Sequence, residues 1–368
     1  TVTPPTTPTE QQITDIFTTI LTTTNPISTD DNFFDLGGNS LQAAQVTSLV
    51  VQRLRTTVTL RQFYAAPTVL ALGRLVDQAG GGVGAGGLAA APSPDWSPVV
   101  PLQEVAGTQP PLFIVHAVSG SAYSYAALAR QLGPDQSVYG LEAPGLEEDV
   151  VPLDRVVDLA ERYVQAVRRT RPNGPYLLSG WSMGGLVAFE MARILTDAGA
   201  RVDLVLLLDS PVPTGSEPPD TIGTMRQWAV DLAGIVGRPM PDLDFLHPGV
   251  DPDILLDELL DALTGAGLVP ADVRDDLLRR YRVFSANVRA NYRYLPDRVP
   301  PVPVHLINAV DSDQDRGWER FLPEVPTREV PGDHYTMWST ENLPVLAAEI
   351  RRELDAARAR RGIGDAGH

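Results

Sequence analysis

Beyond residue 98, short apolar runs alternate with stretches of helical period, and this alternation restricts the fold more than any other feature of the chain. The runs lie at residues 112–115, 137–141, 176–178, 202–208 and 302–307. Apolar strands separated by helices are what a mainly parallel, doubly wound sheet needs, because its crossover helices cover both faces. The rhythm stops between residues 213 and 292, where the pattern is helical and holds no strand. That stretch predicts a helical insertion over one end of the sheet.

Upstream the period differs. Within residues 10–24, Ile13, Ile16, Phe17, Ile20 and Leu21 fall on one face of a helix, and Pro26 follows as a stop. A second helix begins at or next to Ser40 and carries Leu41, Ala44, Val46, Leu49, Val50 and Leu54; a short third covers residues 67–78. Residues 1–80 therefore read as a small all-α domain. From Gly80 to Gly87 the sequence is Gly-Gly-Gly-Val-Gly-Ala-Gly-Gly, followed by Ala and Pro as far as Pro98. Such composition gives a tether, pliant where Gly-rich and stiffer where Pro enters. The expected division is a helical domain at 1–80, a linker at 81–98, an α/β domain at 99–356 with its insertion at 213–292, and a tail at 357–368.

Composition narrows the chemistry. A length of 368 residues with 43% hydrophobic content suits two or three soluble domains. No run reaches the roughly 18 apolar residues of a membrane span, and the Thr- and Pro-rich start lacks a secretory leader, so a cytoplasmic location is expected. There is no cysteine, which excludes disulfides and thiolate nucleophiles, and the five histidines are scattered without zinc-site spacing, so no metal is expected. A formal charge of −17 speaks against nucleic acid and anionic membrane as partners. All 29 basic residues are Arg, which removes Lys as a Schiff-base or general-base residue.

Two serines remain as chemical candidates. Ser40 follows Gly37 and Gly38 at a helix start; Ser is also a favoured N-cap, so a plain cap is the structural alternative. Ser182 lies in Gly180-Trp181-Ser182-Met183-Gly184, with a strand candidate before it and a helical pattern after it. Gly-x-Ser-x-Gly in a strand-turn-helix setting is a nucleophile elbow, whose small residues let the turn tighten and expose the hydroxyl. The hydroxyl needs a base, and His334, in Pro331-Gly332-Asp333-His334-Tyr335 after the last strand, is the best placed. His305 sits within a strand pattern, His247 in the insertion, His368 at the terminus and His116 at the end of the domain's first strand. For the acid, Asp209 after the run 205–208 competes with Asp311 and Asp313 after the later strand; both placements keep the order Ser, Asp, His.

The string Asp31-Asn32-Phe33-Phe34-Asp35-Leu36-Gly37-Gly38-Asn39-Ser40-Leu41, between two amphipathic helices, closely resembles the peptidyl-carrier signature of nonribosomal peptide synthetases, with Asn39 where many carriers have Asp or His. This resemblance implies a four-helix carrier domain with 4′-phosphopantetheine covalently attached to Ser40. Residues 99–355 resemble type I thioesterases, which implies an α/β-hydrolase fold with a helical lid. Leu208-Asp209-Ser210-Pro211 resembles the integrated synthetase thioesterases and favours Asp209 as the acid. Residues 112–120 resemble the strand and oxyanion loop of that family, although Ala117-Val118-Ser119 departs from its His-Pro-Ala-Gly-Gly-like string. The oxyanion donors implied are the backbone N–H groups of Val118 and Met183. Together these likenesses imply a terminal pair that moves a peptidyl thioester from the Ser40 arm to Ser182 and releases it. The implied partners are upstream condensation and adenylation domains, a phosphopantetheinyl transferase, a type II thioesterase and the peptidyl substrate. The alternatives are a polyketide or mixed assembly line, and a carrier docking module without catalysis.

Overall fold

A computed structural model describes residues 2–38, 40–80, 96–107, 109–147, 150–269, 274–314 and 317–365, with backbone alone at 40, 41, 80 and 361–365. Two compact units are found: Thr1–Ala91 with Leu260–Leu277, and Pro92–Leu259 with Leu278–His368.

The first unit opens with α1 (Pro8–Leu21), which starts where Pro8 presets the first turn and Thr7 forms a capping box with Glu10. The Glu10 N–H donates to Thr7 Oγ1 at 3.1 Å, and the Glu10 carboxylate accepts from the Thr6 and Thr7 N–H groups. These bonds outweigh its partial burial, and its pKa is lowered. Then come α2 (Ser40–Leu54), α3 (Leu60–Ala65) and α4 (Val69–Gly80). Ile13, Ile16, Phe17, Val46, Val50 and Leu72 meet in one core with Phe33 and Phe63. Phe17, Phe33 and Phe63 pack edge to face with centroids 4.9–5.9 Å apart; each such pair adds about 1 kcal/mol beyond the area buried.

The second unit is built on a seven-stranded sheet. Its strands are β1 (Val99–Gln103), β2 (Leu112–Val115), β3 (Val138–Leu141), β4 (Tyr176–Trp181), β5 (Val202–Leu208), β6 (Val304–Ala309) and β7 (Thr327–Val330), in the order β1-β3-β2-β4-β5-β6-β7. All neighbours are parallel except β1 and β3. Alternate residues feed two cores. Phe113, Val115, Leu178, Val205 and Leu207 pack with α6 (Val156–Thr170) and α7 (Met183–Asp197). Leu112, Ile114, Leu177, Leu206 and Leu208 pack with α5 (Ala126–Gln131) and α11 (Leu343–Asp365). Helices on both faces explain why these strands read as unbroken apolar runs.

Between β5 and β6 lie α8 (Thr221–Val236), α9 (Pro252–Gly265) and α10 (Arg274–Arg293), in the stretch expected as a helical insertion. Most of the expected linker, residues 81–95, lies outside the described residues. Its last residues are described and engaged: the Arg162 guanidinium stands 5.3 Å from the Trp96 ring centroid, and the Glu142 N–H donates to the Pro98 carbonyl at 2.9 Å. At the other end α11 continues to Asp365, through residues expected as a tail, and Arg358 reaches Gln136 at 2.5 Å.

Candidate active site and carrier loop

The carrier loop is wound on local main-chain bonds. The Leu36 N–H donates to the Asn32 carbonyl at 3.1 Å and the Gly38 N–H to the Phe33 carbonyl at 3.0 Å. Gly37 has φ +96°, a conformation that disfavours any side chain. A Cβ there would have no heavy atom within 4 Å, whereas one at Gly38 would strike the Phe33 ring at 2.2 Å. Ser40 is the first residue of α2; its side chain, and Asn39 as a whole, lie outside the described residues.

In the second unit β4 runs into α7 through Ser182, which holds φ 54° and ψ −131°. Such a conformation costs a non-glycine residue of order 1–3 kcal/mol and persists only where the surroundings impose it. Here the imposition is main chain against main chain. A Cβ on Gly180 would lie 2.1 Å from the Gly184 carbonyl carbon, and one on Gly184 would lie 2.4 Å from the Val115 carbonyl oxygen. The Ser182 N–H donates to the Leu208 carbonyl at 2.9 Å, and the Asp209 N–H to the Ile307 carbonyl at 2.8 Å. These bonds extend the β4–β5–β6 ladders past the strand ends, so Ser182 and Asp209 leave the sheet at the carboxyl ends of its central strands.

Asp209 is 1% exposed and also has positive φ, 42°. Its Oδ2 accepts from His334 Nδ1 at 2.7 Å and from Ser312 Oγ at 2.6 Å, and its Oδ1 accepts from the Ala309 N–H at 3.0 Å. Burial pushes the carboxyl up, but the bonds from His334, Ser312 and Ala309 prevail and its pKa is lowered. An ionised carboxylate only accepts, so Nδ1 carries a proton and Nε2 is the ring nitrogen turned away from Asp209. Trp181 lies beside the imidazole at 4.9 Å, tilted by 33°. Behind His334, Asp333 Oδ1 accepts the N–H groups of Tyr335 and Thr336 at 2.9 and 2.7 Å, which starts the short helical turn Thr336–Trp338.

Asp311 and Asp313 are exposed, and neither has a bond to His334. His305, expected in a strand core, instead meets the buried Glu353 at 2.5 Å. His247 is exposed, and His368 lies outside the described residues. His116 is fully buried, which holds its pKa down to about 4. Its Nδ1 is 2.7 Å from the Ala117 carbonyl and its Nε2 is 2.7 Å from Tyr163 Oη. A carbonyl cannot donate, so Nδ1–H donates to Ala117 and Tyr163 donates to Nε2. The Ala117 carbonyl is thereby fixed, and with it the peptide that carries the Val118 N–H.

Two groups near the site have no signal in the sequence motifs. Ser312 is one; it stands 103 residues from the carboxylate it holds. The other is Asp231 on α8, 7% exposed, whose Oδ1 accepts from Tyr335 Oη at 3.3 Å. Burial raises its pKa to about 6, opposed by the charge of His334 and the Tyr335 bond. One turn along, Gly234 sits against the Tyr335 ring, where a Cβ would come within 2.6 Å. Among the described residues no helix is long and apolar enough to cross a membrane, and no group of His, Asp or Glu could hold a metal ion.

Comparison with known proteins finds matches to two separate stretches of the chain. A thioesterase domain family matches residues 110–354, and a phosphopantetheine attachment site family matches residues 11–76. Chondramide synthase cmdD of Chondromyces crocatus is 31% identical over 374 residues, covering 95% of this chain and 9% of that protein. The dimodular nonribosomal peptide synthase of Bacillus subtilis (strain 168) is 34% identical over 206 residues, covering 56% and 8%. This chain thus spans less than a tenth of either relative. Among solved structures, holo-AB3403, a four-domain nonribosomal peptide synthetase bound to AMP and glycine, superposes with a TM-score of 0.66 at 25% identity, over 96% of this chain and 26% of that one. The NocB thioesterase domain, in covalent complex with a fluorophosphonate nocardicin G analog, gives a TM-score of 0.50 at 30% identity over 67% and 95%. The chain belongs to the thioesterase domain family and carries a phosphopantetheine attachment domain ahead of it, the domain pair of nonribosomal peptide synthetases.

Proposed function

We propose that this chain ends a peptide assembly line: it carries a peptidyl chain at Ser40 and releases it through an ester on Ser182. Ser40 would hold 4′-phosphopantetheine at the head of α2, beside a Gly37 with open space around it. When attached, that group supplies a thiol on which an acyl chain rides as a thioester. Toward such a thioester, Ser182 Oγ would attack the acyl carbonyl as His334 Nε2 takes its proton, and His334 would return that proton to the thiolate released when the C–S bond breaks. Asp209 holds Nδ1–H and balances the imidazolium. Water, or a hydroxyl or amine of the acyl chain itself, then attacks the ester with His334 again as base. The proton ends on Ser182 Oγ, and the product is an acid or a ring. The N–H groups of Val118 and Met183 receive the oxyanion of both addition steps.

The observation that carries this reading is the buried Asp209–His334 bond at the carboxyl end of the sheet, where the strained Ser182 turn also emerges. The partners that fit are upstream condensation and adenylation domains, a phosphopantetheinyl transferase, a type II thioesterase that clears stalled arms, and the peptidyl substrate, all in the cytoplasm. The test is to load the holo protein with a peptidyl group and compare Ser182→Ala with the parent. We expect the variant to keep the peptide on the arm. Product formation at the parent rate would overturn the proposal, and failure of the parent to react with a fluorophosphonate probe would favour a docking module without catalysis.

A further inference from the structure

Residues 117–120 form a turn at the end of β2, closed by the Gly120 N–H on the Ala117 carbonyl at 2.9 Å. The insertion helix α10 packs directly on it. A Cβ on Gly120, which has φ +87°, would meet Val283 Cγ1 at 2.7 Å. One helical turn further on, Asn287, 1% exposed, donates from Nδ2 to the Val118 carbonyl at 2.9 Å. His116 therefore fixes the peptide before Val118, and Asn287 fixes the peptide after it. The Val118 N–H itself has no acceptor among the described residues.

The Val118 N–H belongs to the Ala117–Val118 peptide, and its direction follows the conformation of Val118, which is set when the peptides on both sides are held. We infer that Asn287 is a positioning residue for the Val118 N–H, acting by tying the Val118–Ser119 peptide to α10 so that the 117–120 turn stays in one place. The inference rests on the proposed role of Val118 at the oxyanion. It places control of that donor on a helix of the insertion. A donor that shifts with a loosened turn stabilises a developing oxyanion less, so loss of the Asn287 bond weakens the transition state and leaves ground-state binding alone.

The test uses the full chain with a soluble alkyl thioester of a short peptide, and a peptidyl boronic acid as a mimic of the tetrahedral state. Asn287→Leu should lower kcat by about 10- to 100-fold, less than loss of an oxyanion donor itself, with KM within about threefold. Boronic acid inhibition should weaken by a similar factor. Asn287→Asp keeps the shape but, when ionised, cannot donate; protonated, it can. Its deficit relative to the parent should therefore shrink as the pH is lowered toward 5, a recovery that a packing role would not give. A kcat within twofold of the parent for both variants overturns the inference, as does a kcat loss without matching loss of boronic acid affinity, or a deficit in the Asn287→Asp variant that is flat with pH. Ser182→Ala is run alongside: turnover surviving in it would show that the reading of the site fails, independently of Asn287.

Discussion

Ser40 and Ser182 both stand where a loop becomes a helix, yet the two loops are built on different principles. Around Ser40 the turn bonds are short-range, from the Leu36 N–H to Asn32 and from the Gly38 N–H to Phe33, with one tie out of the loop from the Phe33 N–H to the Pro67 carbonyl, and Gly37 faces open space. Around Ser182 the close approaches join separate segments: Gly184 rests on the end of β2, the Ser182 N–H on β5, and the carboxylate facing His334 stands between β5 and the loop after β6. A hydroxyl that another enzyme must reach needs only a local scaffold. A nucleophile must be held against a base and an acid from distant parts of the chain, which needs the whole sheet.

The sharpest way to break this comparison is to exchange the two serines' assays. Ser182→Ala should lower release by roughly 10⁴-fold or more while leaving uptake of phosphopantetheine from coenzyme A intact. Ser40→Ala should take up none, by intact mass, yet hydrolyse a small soluble thioester at the parent rate. Uptake by the Ser40→Ala protein would place the arm elsewhere.

Neutralising the acid comes next. Asp209→Asn should cost about 10³- to 10⁴-fold in kcat, because His334 loses the acceptor that fixes its tautomer. Asp311→Asn and Asp313→Asn, on exposed residues, should stay within about threefold. The reverse ranking in steady-state kinetics would move the acid to the later strand.

Glycine substitutions probe the scaffolds themselves. Gly184→Ala would set a Cβ 2.4 Å from a carbonyl oxygen that cannot move aside, and should leave the hydrolase unit unfolded or destabilised by more than about 3 kcal/mol. Gly37→Ala meets no neighbour and should cost only its backbone strain, about 1–2 kcal/mol, seen as a modest fall in the carrier's melting temperature. Equal losses at the two sites would erase the distinction drawn between the loops.

The last effect is confined to part of the pH range and belongs to Asp231. Its pKa is raised from an ordinary carboxylate value to about 6, so the native state binds the proton more tightly than the unfolded chain does. The stability this lends is complete below about pH 4 and disappears as the pH rises through 6. Asp231→Asn, which keeps an acceptor for Tyr335, should therefore stabilise the protein by up to about 2–3 kcal/mol at pH 8 and by almost nothing near pH 4. Denaturant melts at the two pH values measure it; an equal change at both would show that the carboxyl is not strained by burial.

The interior strands, the insertion and both serine motifs are legible because each is written in one contiguous stretch. The rest is not. β1 contains Pro101 and pairs irregularly at the sheet edge, and β7 reads Thr-Arg-Glu-Val with only Val330 buried, so neither carries an apolar run. Edge strands bury less and lose the period that marks the interior ones. α3 has six residues, too few to show a helical repeat. Ser312 lies among polar neighbours and Asp231 in the apolar run of α8, and only tertiary structure brings them to Asp209 and Tyr335. His305 reads as core from its strand, but its partner Glu353 comes from α11, 48 residues away.

The contact of Gly184 with the end of β2 has a bearing on protein engineering. Because carbonyl oxygens of the main chain, rather than packed side chains, set the height of Ser182 above the sheet, side chains around it can be exchanged without moving the reacting atom. The hydroxyl would stay at the same point through every such exchange.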